Sequence, residues 1–214
     1  MGPTGTKRNK RETALRRLFA KPPAECAPTA FWFWNEPLDI KWLRWQVREM
    51  AAKGVRGFFI HARSGIPAEH YLAPLWWRAV GAAVEEARRV KSCAWLYDEL
   101  GWPSGSAGGR VPARGPDYQQ HFLECVPAGQ TIPSDATLIK TAALSGRRAL
   151  AFVVRRTGGI DSLNPRVVAA FIQETHEQYW RRFGKHFGQV IPGIFTDEPS
   201  MRVFALRTKE MKVA

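Results

Sequence analysis

The sequence predicts an α/β fold with a parallel sheet, and three observations support this prediction. Short apolar runs alternate with segments of helical periodicity, in the order strand then helix. Each apolar run stops at polar residues and turn signals. The 214 residues are 45% hydrophobic and 12% aromatic, which is enough for a sizeable core or an aromatic-lined site. This composition excludes a wholly disordered protein and a disulfide-stapled miniprotein.

The first strand–helix unit follows a proline-containing lead-in. Residues 31–34 form a continuous apolar run, which is typical of a strand buried on both faces. Asp39 is placed to cap a helix that runs to about residue 53. Gly54 then supplies the left-handed position at which such a helix ends.

The same pattern repeats twice further along the chain. Residues 57–60 predict a second strand, and a second helix is expected from residue 74 to residue 90. Residues 93–97 predict a third strand. Three apolar strands that alternate with helices and end in polar residues indicate a parallel sheet.

The pattern changes between residues 112 and 160. Segments 121–126, 136–144 and 148–156 are rich in β-forming residues, with turn signals and no helical periodicity between them. We therefore expect a small antiparallel insertion between the third strand and the fourth.

A helix and a fourth strand follow this insertion. Asn164 before Pro165 predicts a capped helix start, and one apolar face continues as far as Gly184. Residues 192–195 form the next apolar run, so a single helix leads directly into the fourth strand.

The formal charge of +13 is concentrated at the two ends of the chain. Residues 1–21 hold seven basic residues against one acidic residue, and residues 201–214 hold four against one. The body between them is nearly ordinary. A leading run of this kind predicts a solvated, disordered tail. Nucleic-acid binding through the basic ends is the alternative, but no recognition motif accompanies the charge.

Membrane and cysteine signals are weak. The chain has no run of about 18 apolar residues and no secretory h-region, which predicts no membrane association and a cytoplasmic protein. Its three cysteines stand at unrelated spacings, so they indicate neither a zinc site nor a disulfide framework.

Polar and aromatic residues gather at the ends of the predicted strands, where parallel α/β folds bind ligands. The candidate site residues are Trp34, Asn35, His61, Arg63, Asp98, Glu99, Trp102, Asp197 and Glu198. Carboxylates beside aromatic rings suggest carbohydrate chemistry, because glycoside cleavage needs a carboxylic acid to protonate the leaving oxygen and a second carboxylate as nucleophile or base. The faces of Trp34, Trp95 and Trp102 could stack on sugar rings.

Glu198 is the candidate catalytic acid. It follows the fourth strand, Pro199 fixes the chain direction after it, and the like charge of Asp197 would favour a protonated neighbour. Structural roles are the alternatives: Asp197 and Glu198 in an ion pair with Arg63, His61 as a hydrogen-bonded strand-end residue, and Asp98 or Glu99 as a cap of the following loop. That loop, residues 101–109, is glycine-rich but lacks the lysine and spacing of a phosphate loop.

Four segments carry a family resemblance. They are FWFWN at 31–35, GFFIHAR at 57–63, LYDELGWPSG at 96–105 and PGIFTDEP at 192–199. Together they resemble bacterial glycoside hydrolases related to the α-L-rhamnosidases of family 106, over roughly residues 22–200. The resemblance implies a (β/α)8 TIM-type barrel with appended β domains that cleaves terminal sugars such as α-L-rhamnosides.

The resemblance also implies site roles. A glutamate at the end of the fourth barrel strand is the usual acid, and this role carries over to Glu198. Calcium is associated with such sites. Its ligands do not map onto this sequence, although Asp98, Glu99 and Asp197 are oxygen donors of a suitable type.

The expected organisation is that of a partial barrel. It consists of a basic tail (1–21), three βα units (22–111), the β-rich insertion (112–160), a helix with the fourth barrel strand (161–200) and a basic end (201–214). A complete barrel takes about 250 residues. We therefore expect an N-terminal fragment whose second carboxylate lies beyond residue 214, with a carbohydrate substrate and with the missing half or another copy as partner. A non-catalytic carbohydrate-binding or scaffold remnant is the alternative.

Overall fold

The computed structural model describes residues 4–23, 26–127, 130–132, 134, 136–144 and 148–199. The predicted basic end, 201–214, lies outside them. In chain order the elements are α1 (Thr4–Ala20), β1 (Thr29–Trp34), α2 (Ile40–Ala52), β2 (Gly57–Ala62), α3 (Pro74–Arg89), β3 (Cys93–Leu100), β4 (Gln119–Pro127), β5 (Ala136–Leu144), β6 (Arg148–Ile160), α4 (Pro165–Glu174), α5 (His176–Phe183) and β7 (Ile194–Phe195). Among these described residues, no helix has both the length and the apolar composition to cross a membrane.

The chain divides into two compact units. Unit 1 comprises Met1–Tyr97 and Phe183–Phe195, and unit 2 comprises Asp98–Arg182 and Thr196–Ala214. The predicted domain boundaries follow the order of the elements, whereas these units are interleaved along the chain.

Residues 4–20 of the expected disordered tail form helix α1. Lys, Arg, Ala and Leu are frequent in this segment, and all four have high helix propensity. Glu12 and Arg16 add an i,i+4 ion pair with a 3.0 Å separation. Charge predicted that the segment is solvated, and Phe19 is indeed exposed.

The sheet of unit 1 confirms the α/β class. Its strand order is β1-β2-β3-β7, so the four strands are adjacent in the order in which they occur in the chain. β1 pairs with β2 in parallel, from Thr29↔Gly57 to Trp34↔Ala62. β3 and β7 also pair in parallel, with Leu96 opposite Ile194.

The two faces of this sheet have different surroundings. Because side chains alternate along a strand, Trp32 and Trp34 share one face, and both are buried. Phe31 and Phe33 lie on the other face, where they are 43% and 44% exposed. Phe31 contacts Phe59, Tyr97 and Phe195 there, with ring centroids 4.9, 6.4 and 5.3 Å away. Unit 1 thus has an aromatic sheet face that its own helices leave partly open.

The helix signals of the first units are confirmed. Asp39 Oδ1 accepts hydrogen bonds from the backbone N–H groups of Lys41 and Trp42, at 2.8 and 3.1 Å, as an N-cap should. Gly54 has φ +87° after α2. In α3, Glu86 is buried and is 3.1 Å from the Arg44 guanidinium of α2, which ties the two helices together.

Unit 2 contains the predicted antiparallel insertion as a three-stranded sheet of order β4-β6-β5. The single helix expected after it is instead two helices, α4 and α5, separated at Thr175 with φ −116° and ψ −76°. The Thr175 hydroxyl donates to the Phe171 carbonyl at 2.8 Å, and such local bonds compete with a regular helix. This break places His176 at the start of α5.

Candidate functional site

The carboxylate of Glu99, at the end of β3, is enclosed by the loop that follows it. Glu99 is 1% exposed. Oε1 accepts from the N–H groups of Leu100 and Gly108 at 2.9 and 2.5 Å and from the Ser106 hydroxyl at 3.1 Å, and Oε2 accepts from the N–H groups of Gly105, Ser106 and Ala107 at 3.0, 2.7 and 2.8 Å. Each oxygen is surrounded by three donors. Glu99 therefore holds the loop that follows its strand, and its expected substrate-binding role stays a prediction.

We call residues 100 and 105–108 the Glu99 nest, because their N–H groups converge on this anion. Gly105, Ala107 and Gly108 have φ values of 140°, 53° and 66°, which turn successive N–H groups inwards. Burial raises the pKa of Glu99, and the bonds from Gly108, Leu100, Ala107 and Ser106 oppose that rise. The glycine-rich loop thus cradles the carboxylate of the strand that precedes it.

Asp98 is fully buried and joins two segments of unit 2. Its Oδ1 accepts from the Ser104 hydroxyl and its Oδ2 from the Thr196 hydroxyl, both at 2.6 Å. The Asp197 N–H donates to Ser104 Oγ at 2.8 Å, so the hydroxyl proton of Ser104 is directed to Asp98. The Ser104 N–H donates back to the Asp197 carbonyl at 2.8 Å. We call Asp98, Ser104, Thr196 and the Asp197 backbone the Asp98 network.

His176 lies beside this network, and its neighbours determine its tautomer. Nδ1 is 2.9 Å from Thr175 Oγ1, whose own proton goes to the Phe171 carbonyl. Thr175 Oγ1 must therefore accept, so Nδ1 carries the proton and Nε2 keeps a lone pair in the neutral ring. Nε2 is 3.5 Å from Asp98 Oδ2, which is long for a strong hydrogen bond.

Burial shifts the pKa values of Asp98 and His176 in opposite directions. It raises the pKa of Asp98, against the hydroxyl bonds from Ser104 and Thr196 and the nearby charge of His176. It lowers the pKa of His176, against the charge of Asp98. Both shifts favour the uncharged forms of the two groups.

We expect NMR titration to place the pKa of the His176 ring below the ordinary histidine value of about 6.5. Between the two values the unfolded chain binds more protons than the folded chain, so the free energy of unfolding must rise with pH through that window. The variant His176→Asn should lose this part of the rise, measured by urea unfolding between about pH 5 and about pH 7. A ring that titrates at or above the ordinary histidine value would contradict the burial argument.

A pocket of about 380 Å³ opens beside the Asp98 network within unit 2. Ser104, Thr196 and His176 line one part of it. The remaining lining residues are Gly105, Ile160, Ser162, Val168, Phe171, Ile172 and Pro199. Its volume is that of a small-molecule site, and a few polar groups stand against mostly apolar walls.

The segment after β7 carries the predicted acid. Asp197 is half-buried and its backbone belongs to the Asp98 network. Glu198 is exposed and has φ 44°, a left-handed conformation that is uncommon for a residue other than glycine. In the same unit, Trp102 is 53% exposed, so its ring is open to solvent as the stacking prediction requires.

The predicted site residues of unit 1 differ in how open they are. Trp34 is 3% exposed, with the Trp32 and Trp76 rings 5.1 and 5.2 Å away. It lies on the helix-covered face of the sheet, and its expected stacking on a sugar stays a prediction. Asn35 is exposed, and its backbone carbonyl is packed against Gly65.

His61 and Arg63 lie with the aromatic sheet face of unit 1. The buried His61 ring stacks on Tyr97 at 3.6 Å between centroids. The Arg63 guanidinium stands 4.7 Å from the centre of the Phe33 ring, at cation–π distance. The common rim expected for the strand-end residues of both units stays a prediction.

The described residues do not fit the calcium site that the resemblance implies. Calcium takes six to eight oxygen ligands. The oxygens of Asp98 and Glu99 already accept hydrogen bonds from N–H and O–H groups. A cation bound to these oxygens would face the protons of those donor groups. Within the described part of the chain, no three His, Cys, Asp or Glu side chains are grouped to hold a metal ion.

Sequence reasoning missed Ser104, Thr196 and His176. Ser104 and Thr196 stand inside the LYDELGWPSG and PGIFTDEP segments, so their closeness to Asp98 and Asp197 was a usable signal. His176 had none, because it falls within what the periodicity predicts as one unbroken helix. Only the break at Thr175 brings its ring to Asp98.

Comparisons with known proteins give one distant likeness. No family model matches the sequence, and no curated protein matches it. Among solved structures, the chain is similar to a rhamnosidase from Novosphingobium sp. PP1Y, with 22% identity and a TM-score of 0.41. The match covers 60% of this chain and 12% of the rhamnosidase, so the chain spans a small part of that protein.

Proposed function

We propose that this chain forms part of a glycoside hydrolase that acts on terminal sugars such as α-L-rhamnosides, with Glu198 as the catalytic acid. One observation carries the proposal. The Asp98 network fixes the segment at Thr196 and Asp197, while the next residue, Glu198, is exposed. Asp98 and Glu99 are buried and hydrogen-bonded, so among the strand-end glutamates and aspartates of unit 2 Glu198 is best able to reach a substrate.

In the proposed reaction, Glu198 donates its proton to the glycosidic oxygen as the bond to the anomeric carbon breaks. The leaving group departs as a neutral alcohol. A second carboxylate, which we assign to no residue of this chain, acts as nucleophile or base. The backbone conformation of Glu198, with φ 44° just before Pro199, is the kind of strained geometry that proteins keep at functional sites.

The sheet topology supports a barrel as the wider architecture. In a (β/α)8 barrel each strand lies beside the previous strand of the barrel, whereas doubly wound sheets change direction at a switch point. The order β1-β2-β3-β7 follows the barrel rule for four strands. The antiparallel sheet of β4, β5 and β6 then stands as an insertion before the fourth barrel strand.

The open aromatic sheet face of unit 1 supports a partner for this chain. Phe31 and Phe33 are more exposed than large aromatic side chains on a sheet normally are, and patches of this type mark interaction surfaces. Further barrel strands, or a second copy of the chain, would cover them. Light scattering of the purified chain at rising concentration distinguishes a self-associating chain from one that stays monomeric.

A non-catalytic carbohydrate-binding role is the second candidate. It is favoured because the carboxylates of Asp98 and Glu99 accept hydrogen bonds within unit 2. Glu198 therefore has no assigned carboxylate partner for catalysis. Under this reading the exposed Trp102 ring would still stack on a sugar. Sugar binding without turnover separates the two candidates.

The variant Glu198→Gln is expected to reduce hydrolysis of phenyl α-L-rhamnoside by about 10² to 10⁴ fold, the usual worth of general acid catalysis. The loss should be smaller for 4-nitrophenyl α-L-rhamnoside, because nitrophenolate departs with less need of a proton. The measurement is kcat/KM for both substrates. Glu174→Gln is the matched control, since Glu174 pairs with Arg114 rather than with the Asp98 network.

Each result of this experiment has a definite meaning. Equal activity of Glu198→Gln and the original chain would remove Glu198 from the reaction. Equal losses on both substrates would argue against an acid role. Because the second carboxylate is assigned to no residue of this chain, the assays are run on a version extended downstream. Rhamnose binding by that version without hydrolysis, measured by calorimetry, would support the binding candidate, and the absence of both would overturn the proposed function.

A further inference from the structure

Helix α1 carries an exposed apolar cluster near its end. Leu15, Leu18 and Phe19 stand at positions i, i+3 and i+4, a spacing that places them on one side of a helix. They are 60%, 54% and 91% exposed. Every residue from 12 to 20 is exposed, so the rest of the described chain does not cover this end of α1. Large apolar side chains grouped in this way on one open face are typical of an interaction surface.

The part of α1 that precedes this apolar cluster is basic. Residues 7–11 hold four basic residues and no acidic residue, and we call them the basic run. Residues 4–13 include no large apolar residue. Arg16 and Arg17 add positive charge beside the apolar cluster, and only Glu12, 3.0 Å from Arg16, opposes it. Helix α1 therefore combines a basic run with an apolar end.

A surface of anionic lipid headgroups fits both parts of α1. The negative surface attracts the basic run, and apolar side chains that enter the boundary between headgroups and acyl chains supply the second signal that stable attachment needs. Long basic side chains can stay among the headgroups while neighbouring apolar residues insert. The sequence prediction of no membrane association rests on the lack of a long apolar run, and an interfacial helix needs no such run.

Other partners use only part of this arrangement. A nucleic-acid duplex would neutralise the basic run, but its phosphate backbone is polar and would not cover Phe19. A protein groove that binds a helix takes apolar anchors at i, i+3 or i+4, and i+7. Position i+7 from Leu15 is Pro22, which follows the end of α1, and position i−4 is Arg11. The apolar cluster is therefore short for a groove, whereas a lipid boundary requires no fixed set of anchors.

We infer that α1 binds the surface of membranes that contain anionic lipids, with the basic run among the headgroups and Leu15, Leu18 and Phe19 inserted at the boundary with the acyl chains. This inference does not depend on the proposed function, because it uses no residue of the candidate site. It requires no rearrangement of the fold, since residues 12–20 are already exposed.

The test is flotation of the purified 214-residue chain with two kinds of vesicle. One kind contains phosphatidylcholine and phosphatidylserine in equal amounts, and the other contains phosphatidylcholine alone. Flotation separates chain bound to vesicles, which rises, from aggregated chain, which sediments. We expect binding to the anionic vesicles to be about tenfold or more stronger than binding to the neutral vesicles, and to weaken as salt is added.

The variant Leu15→Gln tests insertion of the apolar cluster. It is expected to weaken binding to the anionic vesicles about tenfold, because a polar side chain of similar helix propensity replaces an inserted leucine. The matched control is Leu163→Gln, since Leu163 is 74% exposed and lies outside α1. Its binding should stay within about twofold of that of the original chain. Circular dichroism melts check that both variants fold.

A second pair of variants tests the basic run. Arg8→Gln combined with Arg11→Gln should weaken binding to the anionic vesicles about tenfold, because two charges near the surface are lost. The matched control is Lys41→Gln combined with Lys53→Gln, which removes two exposed lysines of unit 1 outside α1. If net charge alone attracted the chain, both pairs would weaken binding equally.

Each outcome supports or overturns the inference. Weaker binding in Leu15→Gln and in the basic-run variant, with both controls near the original chain, supports it. Absence of binding to the anionic vesicles, equal binding to neutral vesicles, or an unchanged Leu15→Gln variant overturns it. Tighter binding to a DNA duplex than to anionic vesicles at the same salt, unaffected by Leu15→Gln, would make nucleic acid the partner and also overturn it. The rhamnoside assays test the proposed function separately.

Discussion

Replacing Gly65 by alanine is expected to lower the free energy of unfolding by more than about 3 kcal/mol, at the upper end of what overpacking costs. A Cβ at this position would overlap the backbone carbonyl of Asn35. Backbone atoms cannot move aside as a flexible side chain can. The chain on either side must separate, which would break the 3.1 Å hydrogen bond from the Arg63 N–H to the Trp34 carbonyl.

Gly81→Ala is the matched control, since it adds the same methyl group in the same unit. Its Cβ would be 3.6 Å from Phe183 Cε1, an ordinary contact. Because Gly81 lies inside α3, alanine should gain about 0.5 to 1 kcal/mol of helix propensity. Urea unfolding of both variants gives the comparison. Equal stability of the two would show that the Asn35 carbonyl is not fixed against Gly65, and that the strand-end segments of unit 1 adapt.

The fold was predictable where its signals are local. Helix α2 begins after Asp39, which caps it with hydrogen bonds, and ends before Gly54, which has a positive φ. Both signals depend on only a few neighbouring residues. The structure differs from the prediction where two local tendencies compete. Charge predicted a disordered tail over residues that form α1. Apolar periodicity predicted one helix where the structure has two, divided at Thr175, whose hydroxyl donates to a backbone carbonyl.

The sequence predicts the positions of the candidate site residues well, but it predicts the role of each residue much less well. The sequence located Asp98 and Glu99 at a strand end, and the structure has both within β3. Their hydrogen-bond partners come from loop N–H groups and from Thr196, 98 residues away from Asp98 in sequence, so no local pattern reveals them. The face on which Trp34 lies was not predictable for a related reason. In a strand that is apolar on both faces, alternation does not say which face the helices cover.

Glu99→Gln is expected to cost about 4 kcal/mol of folding free energy, because each buried N–H left without an acceptor costs about 1 to 3 kcal/mol and the anion is lost as well. In the less unfavourable orientation, the amide nitrogen replaces Oε1 and confronts the N–H groups of Leu100 and Gly108. The Ser106 hydroxyl can rotate to accept, but the backbone groups cannot. Faster hydrogen exchange at Gly105 and Gly108 would report the opening of the Glu99 nest.

Glu174→Gln is the control for this variant, because it removes the same charge from an ion pair with Arg114 that is partly open to solvent. Such pairs contribute about 0 to 1 kcal/mol. Because the residues of the nest flank Ser104 in sequence, and the Ser104 hydroxyl holds the Asp197 backbone, Glu99→Gln should also reduce activity by releasing Glu198. Glu198→Gln should reduce activity with stability unchanged. A Glu99→Gln variant that is as stable as the original chain, with slow hydrogen exchange in residues 105–108, would show that the Glu99 carboxylate does not hold its loop. It would also contradict the distinction between Glu99, which positions the site, and Glu198, which reacts in it.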